Sequence, residues 1–457
     1  MILAVDLGTG SLKAGLITHD GRLKARTRVS YPNPPGLGHD EFNPLEWELA
    51  FLEALKHLPA ASVSCVALSG NGPTLVPCDA QGTPLAPAHL WLHSRSRPLE
   101  GCPSYYLPKA DLLRHSNPDV WERTRLLLSC PEWLQFRLTG RPLMTVPHEG
   151  FRPYVWDASQ IRAYGLDAKL FPGIVVMGEP AGTVTESSPA AAYVPAGTPV
   201  AAVGSDFMAA LLGSGAYTPG TVCDRAGSSE GINYCSNSPS AHPELRDLPH
   251  VVDGLWNSAA ILSSTGTVFE WYRRLTGQEQ RSYSDMLADV EAVPPGAQAP
   301  LFFPGPRGGS LWEFGNGSFH KLAPCHGRAE MGRAVMEAIG FAVRRGIEFL
   351  EDTGRPVESM RVTGGQARGA VWNQMKADIT GKTLLIPEVE DAELIGGAAC
   401  ALTALGRAET PLLAADSLVR IKQRFLPRPG AVSVYNEAYE RYAESAWNAG
   451  GSGRGSD

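Results

Sequence analysis

The chain has 457 residues, 43% of them hydrophobic and 19% charged, a globular composition that excludes long disorder and is long enough for two to three domains. Forty Lys and Arg against 47 Asp and Glu leave a net charge of −7, which argues against a nucleic-acid binder and against attraction to an anionic membrane. No apolar run approaches the ~18 residues that span a bilayer. The opening Met1-Ile2-Leu3-Ala4-Val5-Asp6 carries none of the marks of a secretion signal. The eight cysteines (Cys65, Cys78, Cys102, Cys130, Cys223, Cys235, Cys325 and Cys400) include no Cys-x-x-Cys pair. They read as reduced thiols of a cytoplasmic protein rather than as a disulfide framework or a zinc site.

In chain order, Ile2–Leu7 is a short apolar run ending beside an acid. Lys13–Thr18 follows the turn Gly8-Thr9-Gly10-Ser11, so the pair reads as a hairpin. Asn43-Pro44-Leu45-Glu46 starts a helix that runs to about Leu58: Asn caps, Pro takes the first position and Glu the third. Val63–Ser69 reads as a buried strand, a helix is expected near Arg123–Leu138, and a strand near Pro199–Val203. Val335, Ile339, Val343, Ile347 and Leu350 keep helical spacing until Gly354 and Pro356 end the run. Arg361-Val362-Thr363 leads into Gly364-Gly365, and the next helix carries Trp372, Met375 and Ile379 on one face. Tyr217-Thr218-Pro219-Gly220 is the expected junction of two halves, and residues 450–457 a flexible tail. Thr221–Ser229 weakly echoes Ala4–Ser11: an apolar strand, an acid, then a turn of small residues.

Two familiar motifs fail. Gly8-x-Gly10-x-x-Lys13 lacks the third glycine of a dinucleotide fingerprint and precedes a strand. Gly381-Lys382-Thr383 lacks the first glycine of a phosphate-binding P-loop. What remains is a set of phosphate-compatible turns with acids beside them. Gly8–Ser11 is either a plain hairpin turn or a cradle of N–H and hydroxyl groups, with Lys13 adding charge and Asp6 able to hold magnesium through waters. Gly227-Ser228-Ser229 offers the same two readings. Asp206, after a strand and before an apolar helix, is either a helix cap or a general base. Gly364-Gly365 is either a tight turn or a surface for a flat ring.

These pieces, in this order, resemble the FGGY carbohydrate kinases over about residues 1–445. Asp6-Leu7-Gly8-Thr9-Gly10-Ser11-Leu12-Lys13 resembles that family's first phosphate hairpin, Ser69-Gly70-Asn71 its Ser-Gly-Gln, and Leu90–Arg95 its Leu-Trp-x-Asp-x-Arg segment. Pro131–Leu134 with Arg137–Gly140 is a further landmark. Gly204-Ser205-Asp206 resembles the catalytic Gly-x-Asp, Gly227-Ser228-Ser229 the second hairpin, Gly364–Arg368 with Trp372 the nucleotide signature, and Gly396-Gly397-Ala398-Ala399 the closing motif.

The resemblance implies an α/β fold of two ribonuclease-H-like (actin-like ATPase) domains flanking a catalytic cleft. Residues 1–217 would be the sugar-binding domain and 218–449 the nucleotide-binding domain, closing to exclude water. It implies ATP and Mg2+ as cofactors, with Asp206 as catalytic base and Asp6 for the metal. Thr9, Gly10, Ser11, Lys13, Gly227, Ser228, Ser229, Gly364, Gly365 and Ala367 would bind the nucleotide. Asn71, Trp91, Arg95, Asp206 and Phe207 would bind a small sugar, polyol or sugar acid, with core packing as the other reading of Trp91. A homodimer is compatible with the family. The chain departs from the pattern around the sugar: Asn71 shortens the amide and is followed by Gly72-Pro73, His93 replaces the aspartate, and Pro306 replaces the glutamate before Arg307. A missing hydrogen-bond partner changes specificity strongly, so xylulose is not carried over, and a sugar- and nucleotide-binding sensor with weak transfer is the alternative to a kinase.

Overall fold

Every residue of Ile2–Leu7 is buried, as a strand covered on both faces must be. This is β1 of a computed structural model that describes residues 1–32, 40–91, 98–296, 300–305 and 314–446. Arg95, His93, Pro306, Arg307 and the 450–457 tail lie outside the described residues. β1 (Ile2–Leu7) pairs antiparallel with β2 (Ser11–Ile17), which pairs antiparallel with β3 (Leu23–Ser30). On its other side β1 runs parallel to β4 (Cys65–Gly70), and β4 runs parallel to β5 (Pro199–Ser205). The sheet order is β5–β4–β1–β2–β3, with Pro180–Thr183 outside β5.

The second sheet repeats this plan. β6 (Val222–Ala226) and β7 (Glu230–Ser236) form a hairpin, and β8 (Trp256–Leu262) is antiparallel to β7. β9 (Ser359–Thr363) is parallel to β6, and β10 (Thr383–Pro387) is parallel to β9. The order β8–β7–β6–β9–β10, with Arg246–Pro249 and Ile421–Phe425 at its edges, is that of the first sheet. Both sheets have the ribonuclease-H-like connectivity of the actin-like ATPase fold, and the echo between Ala4–Ser11 and Thr221–Ser229 is borne out, since each hairpin opens its own sheet.

The chain divides into two compact units, and the division is discontinuous. The first contains Met1–Gly215, Val251–Gly254 and Asp391–Val419; the second contains Ala216–His250, Leu255–Glu390 and Arg420–Asp457. The first crossing falls after Gly215, two residues before the junction expected at 217/218, and further crossings follow it. The physical reason is the Ala392–Ala404 helix, which packs on β1, β4 and β5 and on the Asp206–Ser214 helix. Its contact face is glycine and alanine, so backbones meet: a Cβ on Gly396 would stand 2.0 Å from the Ala209 carbonyl oxygen, and one on Gly213 would stand 1.9 Å from that of Ala392.

The helix from Asn43 forms as read, Pro44–Lys56, with the Asn43 side chain accepting from the Leu45 N–H. The single helix expected near Arg123–Leu138 does not form. A short helix Pro118–Arg123 ends, Leu126–Leu128 becomes a strand against Val76–Cys78, and a new helix spans Cys130–Thr139. Pro131 explains the break, because proline fits a helix only in its first turn. The first core stacks Phe42 on Trp47 with Trp133 beside it, while the second gathers Phe341, Tyr435, Tyr439 and Tyr442. All eight cysteines are free. No helix among the described residues is long and apolar enough to cross a membrane.

The helix contact yields a test. Gly396→Ala forces two backbones apart, and overpacking of this kind costs ~1–3 kcal/mol. The variant is expected to lose several degrees in thermal midpoint, whereas Gly430→Ala, with nothing within 4 Å of the added Cβ, is expected to lose none. Equal midpoints for the two variants would contradict the packing.

Candidate active site

Sheet register builds the site of the first unit. Asp6 on β1 lies opposite Ser69 on β4, and Ser69 lies opposite Gly204 on β5. These are the carboxyl ends of parallel strands, where α/β sheets bind ligands. Ser205 then caps the helix Asp206–Ser214, so Asp206 is its first residue. Of the two readings for Asp206, the cap belongs to its neighbour: the Ser205 Oγ accepts from the Met208 N–H at 3.5 Å, while Asp206 is half-exposed and its Oδ1 takes the Phe207 N–H at 2.6 Å.

Asp6 is sealed at the end of β1. Ser69 Oγ donates to its Oδ1 at 3.1 Å, and Lys13, its cross-strand partner, brings an ammonium to 3.8 Å. Burial first, then Glu393, push the Asp6 carboxyl up to about 7; Asp206 adds to the rise, and Lys13 and Ser69 oppose it. Lys13 also pairs with Asp391 at 3.3 Å and Glu393 at 3.9 Å. Burial works against its charge, but Glu393, Asp6 and Asp391 outweigh it and hold the ammonium above the ordinary lysine value. Carboxylates thus outnumber the lysine here. No group of three or more His, Cys, Asp and Glu among the described residues is placed to hold a metal ion by itself. That donor set suits Mg2+, which keeps several waters and leans on one or two carboxylates plus phosphate oxygens.

The first hairpin is braced from behind. Asn71 donates from its backbone N–H and its Nδ2 to the Leu7 carbonyl, at 3.0 and 2.9 Å, and its Oδ1 accepts the Thr9 hydroxyl at 2.9 Å. Asn71 is buried, so this structure engages its amide in holding Thr9 rather than offering it to a sugar. Ser11 is buried with its Oγ accepting from Arg28, while Gly10 is exposed with nothing within 4 Å of a Cβ built there. Trp91 and Phe207 are half-buried. Sequence reasoning missed Lys109, whose buried ammonium donates to the carbonyls of Pro73 and of Leu90, the residue before Trp91. It also gave no role to Glu132, a buried residue whose carboxyl burial pushes up to about 7. A lysine or glutamate inside an apolar run was the available signal for both. Asp391 and Glu393 carried no local signal, since only the return of a late helix brings them to Lys13.

In the second unit Arg225 lies opposite Thr363, so the turns that follow, Gly227-Ser228-Ser229 and Gly364-Gly365, leave adjacent parallel strands at the same end. Gly364 has φ 86°, and a Cβ there would meet the Ala226 carbonyl oxygen at 2.6 Å, so only glycine fits. Ser228 and Gly365 are exposed, and Ala367 is buried. The Gly266–Leu275 helix starts beside the hairpin: Thr267 donates from N and Oγ1 to the Ser228 carbonyl at 3.1 and 3.2 Å. Beneath lie Asp224, Glu230 and Lys376, all fully buried, with Lys376 bonded to both carboxyls. Sequence reasoning gave none of these four a role. The run Ser263-Ser264-Thr265-Gly266-Thr267 between strand and helix was the readable signal for Thr267.

Comparison with known proteins agrees with this geometry. Residues 225–405 match the profile of the FGGY family of carbohydrate kinases, C-terminal domain. A xylulose kinase of Bacillus subtilis is 25% identical over 96% of this chain and 95% of its own length. An autoinducer-2 kinase of Salmonella typhimurium is 24% identical over 96% of this chain and 93% of its own length. The structure of a ligand-bound xylulose kinase from Lactobacillus acidophilus superimposes with a TM-score of 0.78 at 19% identity, covering 97% of each chain.

Glu132 supplies a pH test. Its folded value of about 7 exceeds the ordinary 4.5, so between those limits the native state keeps a proton that the unfolded chain releases, and stability falls as pH rises through the window. Glu132→Gln removes this contribution. Denaturant unfolding is expected to show a flatter pH profile and a variant that gains on the wild type from pH 5 to pH 8. Parallel profiles would contradict the buried acid.

Proposed function

We propose that the chain is an FGGY-family carbohydrate kinase, an ATP-dependent phosphotransferase whose acceptor is a hydroxyl of a small sugar, polyol or sugar acid, and that Asp206 takes that hydroxyl's proton. The observation that carries this reading is the placement of Asp206, half-exposed on the first turn of its helix and close enough to Asp6 to raise the Asp6 pKa. Phosphoryl transfer passes through a loose transition state, so alignment and charge matter more than covalent chemistry. In this reading Asp206 orients the acceptor oxygen and receives its proton late. Thr9, Gly10, Ser11 and Lys13 meet the β- and γ-phosphates, and Gly227, Ser228 and Ser229 steady the leaving phosphate. Gly364, Gly365 and Ala367 line the nucleotide slot. Asp6 would hold Mg2+ through its waters, and the ion would neutralise charge on the phosphates.

The relatives' names carry two different acceptors, xylulose and autoinducer-2, so they do not single one out for this chain. Asn71, engaged in bracing, leaves Trp91, Phe207 and Asp206, with Arg95 outside the described residues, as the residues proposed to meet the acceptor. Free thiols and ATP chemistry fit a cytoplasmic setting.

Asp206→Asn is expected to bind ATP as the wild type does and to lose ~10²–10⁴-fold in turnover, the range for a positioned base. A variant retaining a third of wild-type turnover removes Asp206 from the role. The acceptor is found with a coupled ADP-release assay across pentuloses, hexuloses, polyols and aldonates. Silence across that panel from a protein that binds ATP would favour a sensor.

A further inference from the structure

Gln366 follows the two glycines of the second unit's nucleotide turn, and its side chain points back to the phosphate hairpin. Its Nε2 donates to the Gly227 carbonyl at 2.8 Å and to the Thr265 hydroxyl at 3.0 Å, and its Oε1 accepts the Trp372 indole N–H at 2.8 Å. Both N–H groups of the amide and its oxygen are therefore engaged, the oxygen by a buried tryptophan. A peptide unit is planar and trans, so its C=O and N–H point to opposite sides. Holding the Gly227 carbonyl toward Gln366 turns the Ser228 N–H away from it. Thr267 does the same to the next unit: by holding the Ser228 carbonyl it turns away the Ser229 N–H. Two successive backbone donors at the hairpin tip are thereby aimed, an arrangement that suits an anion.

The first unit solves the same problem with the same group. There the carboxamide of Asn71, from the turn after the parallel strand beside the hairpin, holds the Leu7 carbonyl and the Thr9 hydroxyl. Asn71 follows β4 as Gln366 follows β9, and β4 and β9 hold the same place in their sheets. Each amide grips one backbone carbonyl and one threonine hydroxyl next to a phosphate-type turn.

We propose that Gln366 is a positioning residue that sets the Gly227–Ser229 hairpin for a nucleotide's β-phosphate, with Trp372 fixing the orientation of its amide. The proposal rests on the kinase reading. Gln366 is itself not a catalytic residue, since its polar atoms are engaged by the protein. Its loss should therefore penalise binding of the β-phosphate and not of the nucleoside or α-phosphate.

The test compares Mg·ADP with AMP by calorimetry for the wild type, Gln366→Ala, Gln366→Glu and Trp372→Phe. Gln366→Ala should weaken ADP about tenfold and AMP by less than about twofold, as expected for loss of two neutral hydrogen bonds that order a phosphate site. Gln366→Glu keeps the acceptor for Trp372 but sets a carboxylate against the Gly227 carbonyl, and should weaken ADP at least as much. Trp372→Phe keeps a smaller aromatic ring without the N–H and should show a smaller loss, again selective for ADP. Any pattern in which ADP is not selectively weakened in Gln366→Ala, including equal losses for ADP and AMP, overturns the inference and leaves the kinase reading standing. A wild-type protein that binds no Mg·ADP overturns both.

Discussion

A carboxyl group sealed at the end of a strand is the constraint around which the first unit is arranged. Asp6 cannot be ionised cheaply where it stands, because burial disfavours its charge and Glu393 and Asp206 add like charge nearby. The sheet supplies one cation directly opposite, Lys13, and that cation is shared with Asp391 and Glu393. The surplus of carboxylate is costly in a resting protein, and in the proposed kinase a magnesium ion would offset it. Asp391 and Glu393 reach Lys13 only because the Ala392–Ala404 helix lies on the first sheet, and that packing is possible only through glycine and alanine contacts.

The second unit repeats the plan with different chemistry. Its hairpin strands carry Asp224 and Glu230, and a single lysine from the helix after the nucleotide turn joins both. Burial and the adjacent Asp224 push the Glu230 carboxyl up, against the pull of Lys376. The first unit keeps its charge half-open at the site, whereas the second closes its charge into the core and leaves the hairpin tip to backbone donors. The buried Lys109 ammonium holds the carbonyls of Pro73 and Leu90, the second directly before Trp91.

Much of this was legible in the chain. The β1–β2 hairpin, the capped helix at Pro44, the strand into Gly364-Gly365 and the apolar face of the long helix through Val335 all follow from local patterns, and the ordered motifs pointed to the family. Legibility failed where a residue's role depends on a partner far away in sequence. Asn71 carries the same residue type whether it faces a sugar or holds the Leu7 carbonyl, and only the parallel pairing of β1 with β4 selects the second. Leu126–Leu128 reads as part of a helix until Val76–Cys78 offers it a strand partner. Gln366 looks like a variable letter in a glycine-rich motif until the hairpin is seen beside it.

The sequence by itself determined the element types, the two hairpins and the acids at their strand ends, because periodicity, turn chemistry and capping act over a few residues. Only the tertiary structure decided which acids share a lysine, which amides hold the glycine-rich turns, and that a helix near residue 400 belongs to the first unit. Those choices turn on burial and on contacts between segments tens to hundreds of residues apart, and no local pattern encodes the register of a sheet or the close approach of two backbones.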